Sequence, residues 1–492
     1  METSFFLAFD LGAESGRTIL GRLEKGRLVT RELTRFPNGP VQVQGHLHWD
    51  IQALFEEIKK GIGAGLAESG SRLTSLAVDT WGVDFGLLSP DGTVLGPPYA
   101  YRDSLFRGAM EEFLTLFPRE KIYERTGIQF LPFNTLFQLY SVSRRRPELI
   151  GPAGALLFMP DLFSYLLTGR KGAEFTIAST SQLLDPRSKR WDEGLLGAAG
   201  VPLSLMQRIV PPGSPWGFLS PEVSRATGFP KTPVIATAGH DTAAAVAAVP
   251  AAGEDWAYIS SGTWSLMGVE LHSPLINSAA LEANFTNEGG VGGRIRFLKN
   301  IAGLWLLQQC RKEWSLSRAR DYDELVRLAD EAAPFEAFVD PDSPGFLNPP
   351  SMPEAITEYC RRTGQKPPLS MGATVRCILE SLAFKYRRTL DELRRLTGQR
   401  PARIHVIGGG SRNERLCQFT ADATGLPVLA GPAEATAMGN LMVQAMAAGQ
   451  VGSLEEIRSI VRGSVELEEF APERADEWDR AYARFREAAA SE

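Results

Sequence analysis

The stretch Leu7–Leu23, LAFDLGAESGRTILGRL, most limits what this chain can become. An apolar run ends at Asp10, turns through a glycine-bearing bend, and resumes as RTILGRL, which alternates like a strand. Glycines let backbone N–H groups close around a phosphate. A Walker A loop or a dinucleotide-binding turn needs a helix next. A strand follows here, which disfavours both. The bend is then either an ordinary hairpin turn or a phosphate loop between two strands. The pattern returns in Trp256–Leu271, WAYISSGTWSLMGVEL, where Ser260–Ser265 form the bend. Two such hairpins predict two related halves meeting near residues 243–250.

The segments between fit mixed α/β structure. RTILGRLEKGRLVTREL reads as two strands around a Glu-Lys-Gly-Arg turn, and LTSLAVDT as a further strand. DIQALFEEIKKGIGAGLAES has apolar residues at helical spacing. VDFGLLSPDGTVLG predicts a hairpin around Pro90–Gly92, and APERADEWDRAYARFREAAA a charged amphipathic helix docking on a domain. ARIHVIGGGSRNERLCQFTADATG reads as strand, glycine turn and helix. Its turn, Ile407–Asn413, either exposes bare backbone to a flat ligand such as adenine or starts a helix capped by Ser411 or Asn413.

One acid stands out. Asp241 is the single charge in the run Pro233–Pro250, with His240 beside it. It follows a strand and precedes TAAAVAAV, which suits a helix N-cap. The same position suits a general base, because a helix N-terminus favours an ionised carboxylate. The two roles are compatible. Asp10, ending a buried strand, suits a Mg²⁺ ion held through water.

Composition excludes several classes. A net charge of −6 argues against nucleic acid as a partner. No apolar run approaches the ~18 residues of a membrane span. METSFFLAFDLG reads as a first strand and not as a signal peptide. Cys310, Cys360, Cys377 and Cys417 show no CxxC spacing, which predicts a reduced, cytoplasmic protein. His46 and His48 share a strand face without an acid or thiol to complete a zinc set, and are expected as solvated surface residues.

FDLGAESGR, DTWGVDFGLL, YRD, TGIQFLPFNTLFQL, MPDLFSYLLTG, GHDTAAAV, SSGTWSLMG, NEGG, LKNIAGLWLLQ and GGGSRN occur in one order along the chain. In these motifs the sequence resembles the FGGY carbohydrate kinases over nearly its whole length. The resemblance implies two actin-like (ribonuclease H-like) α/β domains with mixed central sheets and ATP-Mg²⁺ in an interdomain cleft. It places a sugar- and phosphate-binding domain at 1–243, a nucleotide domain at 244–460 and a helical tail at 461–492. The implied reaction is ATP-dependent phosphorylation of a ketose at its primary 1-hydroxyl. L-Rhamnulose is the expected sugar, L-fuculose or a xylulose the alternatives, and an actin-like ATPase switch without a sugar substrate the reading from another class. No obligate protein partner is implied.

Carried over by motif, Ala13, Glu14, Ser15, Gly16 and Arg17 form the first phosphate loop. Gly82, His240, Asp241 and Thr242 line the sugar site, with Asp241 as base. Thr263 faces the phosphates, Asn300 and Gln308 the nucleotide, and Gly409 the adenosine. Trp81 and QFLPFN are expected as an apolar wall for a deoxysugar, or as plain core. Glu14 departs from the small hydroxyl residue expected there, since an anion beside phosphates is unfavourable unless it points away or helps to hold the metal.

Overall fold

Three strands open the chain: β1 (Ser4–Leu11), β2 (Ser15–Glu24) and β3 (Arg27–Pro37). The computed structural model describes residues 3–490 apart from 71, 317 and 319. Every residue of β1 is buried, as its apolar sequence requires of a central strand. The turn from β2 to β3 holds Lys25 at φ 50° and Gly26 at φ 74°. Two successive positive φ angles match the right-handed twist of the flanking strands.

β4 (Leu73–Thr80), β5 (Ser214–Phe218) and β6 (Pro233–Ala236) complete a six-stranded sheet in the order β5-β6-β4-β1-β2-β3. β2 pairs antiparallel to β1, placing Arg17 opposite Asp10, and β4 pairs parallel to it, placing Asp79 opposite Asp10. Helix α1 (Ile51–Ser69) lies on this sheet, its first turn capped by Asp50, which accepts from the Ala53 N–H at 2.9 Å.

Contacts divide the chain into two units. The first holds residues up to Ala252, Glu270–Phe297 and Ala435–Ser464; the second holds Gly253–Val269, Leu298–Glu434 and the chain from Val465 on. A seven-stranded sheet begins at its edge with Thr286–Gly289 and continues through β7 (Trp256–Ser261), β8 (Ser265–Leu271), β9 (Ile295–Ile301), β10 (Arg403–Ile407), β11 (Val428–Ala430) and β12 (Glu468–Phe470) in the order β9-β8-β7-β10-β11-β12. β8 is antiparallel to β7 and β10 parallel to it. That repeats the arrangement of β2 and β4 around β1, so the two hairpins seen in the sequence hold equivalent places in their sheets. The amphipathic helix Ala475–Ala490 docks in the second unit. Its Trp478 and Phe485 pack at 4.9 and 5.4 Å, centroid to centroid, on Phe384 of the long helix Met371–Thr397.

Some expectations change. Phe85–Leu88 pairs mainly with Ala155–Phe158, while the return arm after Gly92 contributes one bridge, Leu88 to Val94. Pro97 and Pro98 lack the N–H groups needed to lengthen that arm. Of the two histidines expected at the surface, His48 is buried and His46 half-buried. His48 is buried against the Pro97 carbonyl at 2.9 Å, and Asp103 reaches His46 Nδ1 at 2.9 Å. All four cysteines are buried free thiols. Among the described residues no helix is long and apolar enough to cross a membrane.

Candidate active site

The bend between β1 and β2 is closed by the Gly12 N–H on the Ser15 carbonyl at 3.0 Å. Asn38 braces it from outside: its N–H donates to the Glu14 carbonyl at 2.9 Å and its side-chain amide to the Gly12 carbonyl at 2.7 Å. Glu14 is exposed at the tip, so its carboxylate is not packed inside the loop, and Ala13 and Ser15 are half-buried. Gly16 is required by contact, since a Cβ there would meet the Phe36 ring at 2.2 Å. Arg17 reaches across the hairpin to pair with Asp10.

Asp10 has company in Asp79, the first residue of DTWGVDFGLL. Asp79, opposite it on β4, is wholly buried and accepts from Asn440 Nδ2 at 2.6 Å. Burial holds the Asp79 carboxyl well above its ordinary range, and the charges of Asp10 and Asp241 push it the same way. Its second oxygen has no hydrogen-bond partner. Asp79 therefore senses the charges of both other acids, which the Arg17 guanidinium partly offsets. Among the described residues no three metal-ligating side chains converge. The donor set thus suits an ion held through water and not one enclosed by protein ligands.

His240 and Asp241 follow β6. The local reading of Asp241 as the helix cap is corrected: His240 holds the cap position, and Asp241 is the first residue of helix α2 (Asp241–Ala247). Its Oδ1 accepts from the N–H and the hydroxyl of its own neighbour, Thr242. The side chain stays 30% exposed while that of His240 is only 9% exposed. Thr242 is buried. A Cβ on Gly82 would lie 3.3 Å from His240 Nε2, so glycine leaves the space in front of the imidazole open. The approach to α2 is fixed by Glu174, which accepts from the Gly239 N–H at 3.0 Å and from the N–H groups of Thr176 and Ile177. The Thr176 hydroxyl accepts from the His240 N–H at 3.1 Å.

Beside Gly82, Val83 has φ 67°. A β-branched residue in the left-handed region is strained by about 1–3 kcal/mol and persists only when its surroundings over-determine it. Here Thr135 Oγ1 donates to the Val83 carbonyl at 2.6 Å. Asp84 is wholly buried and accepts from Trp49 Nε1 at 2.6 Å, Trp81 Nε1 at 3.0 Å, Gln138 Nε2 at 3.0 Å and the Tyr101 N–H at 3.3 Å. Burial still raises its carboxyl to about 7, because four neutral donors only partly replace water. Trp81 packs on Trp49 at 4.1 Å with the rings tilted by 39° and is 5% exposed, so it is chiefly core. Phe130 is core as well, while Phe133 is half-buried against Tyr101 at 5.3 Å.

The remaining expected residues lie in the second unit, around the bend after β7. The Gly262 N–H closes that bend on the Trp264 carbonyl at 2.8 Å. The Thr263 carbonyl accepts from the Trp305 N–H at 3.0 Å, tying the bend to the helix Trp305–Trp314. Gln308 lies on that helix with a buried Oε1 that has no partner. Asn300 is half-buried near the end of β9. Gly408 and Gly410 press against Ser261 at the end of β7, where a Cβ would come within 3.0 and 2.0 Å, whereas Gly409 between them faces open space. Of the two caps considered, Asn413 is the one used, accepting from the Leu416 N–H at 2.9 Å.

The first unit thus gathers Asp10, Arg17, Gly82, His240, Asp241 and Thr242, and the second gathers Thr263, Gln308 and Gly409. Residue-by-residue motif reading missed Asn38, Asp79, Val83, Asp84, Glu174, Glu288, Arg296 and Asn440. Asp79, Val83 and Asp84 stood inside the quoted segment DTWGVDFGLL, and Glu288 inside NEGG.

Residues 5–248 match the N-terminal domain, and residues 257–448 the C-terminal domain, of the FGGY family of carbohydrate kinases. The chain is 49% identical over 486 residues to a rhamnulokinase of Bacteroides thetaiotaomicron, covering 99% of each chain. It is 42% identical over 482 residues to one of Klebsiella pneumoniae, covering 97% of each. A ligand-bound xylulose kinase from Lactobacillus acidophilus shares the fold at a TM-score of 0.82, with 15% identity and coverage of 98% of this chain and 97% of that one. The glycerol kinase of Plasmodium falciparum with ADP does so at 0.77, with 15% identity and coverage of 99% and 97%. The architecture is the two-domain, actin-like α/β fold. The chain belongs to the FGGY family of carbohydrate kinases.

Proposed function

We propose that this kinase transfers the γ-phosphoryl group of ATP to the primary 1-hydroxyl of L-rhamnulose. The sugar follows from the relatives named rhamnulokinase, which match it almost end to end. One observation carries the mechanism: Asp241 begins a helix, is part-exposed, and has His240 Nε2 at 3.4 Å. The helix N-terminus favours the ionised carboxylate. Asp241 orients the 1-hydroxyl for in-line attack and takes its proton late, while Gly82, His240 and Thr242 line the sugar.

Phosphoryl transfer is mostly positioning and charge neutralisation. The bend Ala13–Arg17 and Thr263 offer backbone N–H and hydroxyl groups to phosphate oxygens. Asn300, Gln308 and Gly409 serve the nucleotide. Asp10, with Asp79 behind it, would hold Mg²⁺ through water. When bound, that ion neutralises charge on the phosphates.

ADP release measured with L-rhamnulose, L-fuculose, D-xylulose and L-xylulose tests the reading. L-Rhamnulose should give the highest kcat/KM. A faster fuculose or xylulose would replace the sugar assignment, and ATP hydrolysis indifferent to every ketose would identify an ATPase switch.

A further inference from the structure

The histidine beside the proposed base is held from behind by a buried ion pair. Arg296 is 0% exposed and Glu288 about as enclosed, with Arg296 Nη2 and Glu288 Oε2 3.0 Å apart. Arg296 Nε donates to the Gly289 carbonyl at 2.8 Å, and Nη2 lies 3.1 Å from His240 Nδ1. Its Nη1 is buried without a hydrogen-bond partner. Buried charges persist when paired, and Glu288 is the pair that keeps this guanidinium in place.

A guanidinium has five donors and no acceptor. An N–H at His240 Nδ1 would therefore point at another donor. Glu288 Oε2 lies 3.5 Å from that nitrogen, long for a hydrogen bond, and is ion-paired with Arg296 Nη2 at 3.0 Å. Nδ1 must accept, so the proton resides on Nε2. That nitrogen faces Asp241 Oδ1 at 3.4 Å and the open space above Gly82.

We propose that Arg296, braced by Glu288, is a positioning residue that fixes the His240 tautomer, so that Nε2–H is presented as a donor to an oxygen of the acceptor sugar. Asp241 accepts and His240 donates. A ligand with a hydroxyl and a neighbouring acceptor oxygen, as at C1 and C2 of a ketose, satisfies both. This deepens the sugar-site reading above and rests on it.

The test uses the full-length enzyme with ¹⁵N-labelled histidine. The chain has five histidines, and His240→Gln identifies the signals of interest. The expected spectrum shows an unprotonated Nδ1 and a protonated Nε2 for His240, with the Nε2 signal moved by the ketose and not by ADP. Protonation at Nδ1 overturns the proposal. The expected tautomer with no response to any ketose overturns the sugar-site reading and leaves Arg296 without this role.

Kinetics provide the second arm. Arg296→Met alone strands the Glu288 charge, so the double variant Arg296→Met/Glu288→Gln is used, with Arg296→Lys as the conservative comparison. Loss of one oriented hydrogen bond should raise the KM for ketose about tenfold. The KM for ATP should stay level, and Arg296→Lys should restore part of the loss. Equal changes in both KM values would mark Arg296 as merely structural and overturn the proposal.

Discussion

A Cβ on residue 439 would lie 1.8 Å from the carbonyl oxygen of Ala244. Gly439 belongs to helix α3 (Ala435–Ala447) and Ala244 to α2, so the two backbones touch. The alanines of α2 are what permit this approach, and Asp241 sits at the end of that helix. Gly439→Ala should destabilise the protein by about 2–3 kcal/mol, because backbone cannot yield as a side chain does. It should also lower kcat by tilting α2. A wild-type denaturation midpoint would refute the close contact.

Helix α1 offers an internal contrast. A Cβ on Gly61 would meet Thr18 Oγ1 at 2.2 Å and a Phe9 ring carbon at 2.7 Å, whereas one on Gly63 meets nothing within 4 Å. Gly61→Ala should destabilise by about 1–3 kcal/mol. Gly63→Ala should stabilise by about 0.5–1 kcal/mol, since alanine is the better helix former. Urea unfolding of the two variants side by side checks the sign of each.

Asp241→Asn keeps an acceptor for the Thr242 N–H but loses the basic carboxylate. Turnover should fall about a hundredfold to ten-thousandfold with the melting temperature unchanged. Coupled ADP assays, with calorimetry on the same sample, separate chemistry from folding. Near-normal kcat would remove Asp241 from the role of base.

The Asp84 carboxyl is raised to about 7 in the folded protein, by burial above all, from an ordinary value of 3.8. Between those values the folded state binds more protons than the unfolded one, so this group's effect on stability worsens as pH rises. The cost is absent below about pH 4 and complete above about pH 7, on the order of 4 kcal/mol. The stability of the wild type minus that of Asp84→Asn should therefore increase on acidification through that window. A difference flat from pH 4 to 7 would show that Asp84 ionises freely in place.

Gln308 carries a buried acceptor with nothing to accept from. Gln308→Leu should leave the free protein equally stable or up to about 1 kcal/mol more stable, since an unsatisfied group is removed. The KM for ATP should rise about fivefold to tenfold while the KM for ketose stays level. Unchanged ATP kinetics would take Gln308 out of the nucleotide site.

Local chemistry made much of this readable in advance. The glycine bends, the Asp50-capped helix and the strand–turn–helix ending at Asn413 each follow from residues within a few positions of one another. Asp84 was visible in its motif, but its role depends on Trp49 and Gln138, which the sequence keeps 35 and 54 residues away. Asn440 reaches Asp79 across 361 residues, and Arg296 reaches His240 across 56. No periodicity or spacing encodes such meetings. The cap position was misread by one residue because Asp241 and His240 both suit a helix start, and what decided between them was where the Glu174 and Thr176 contacts pin the backbone. Val83 gives no sign of its left-handed backbone, since β-branched residues ordinarily avoid it.

The first unit closes on itself late. Gln444, near the end of α3, donates to the Leu7 carbonyl of β1 at 3.0 Å and accepts from the Ser75 hydroxyl at 2.7 Å, and Gln450 bonds the Ser4 hydroxyl. During synthesis the opening strands leave the ribosome with that side of their sheet bare. At about 5–20 residues per second, they wait about 20–80 seconds for the segment that covers them. Truncation after Glu434 would spare the opening sheet's own residues and still uncover it.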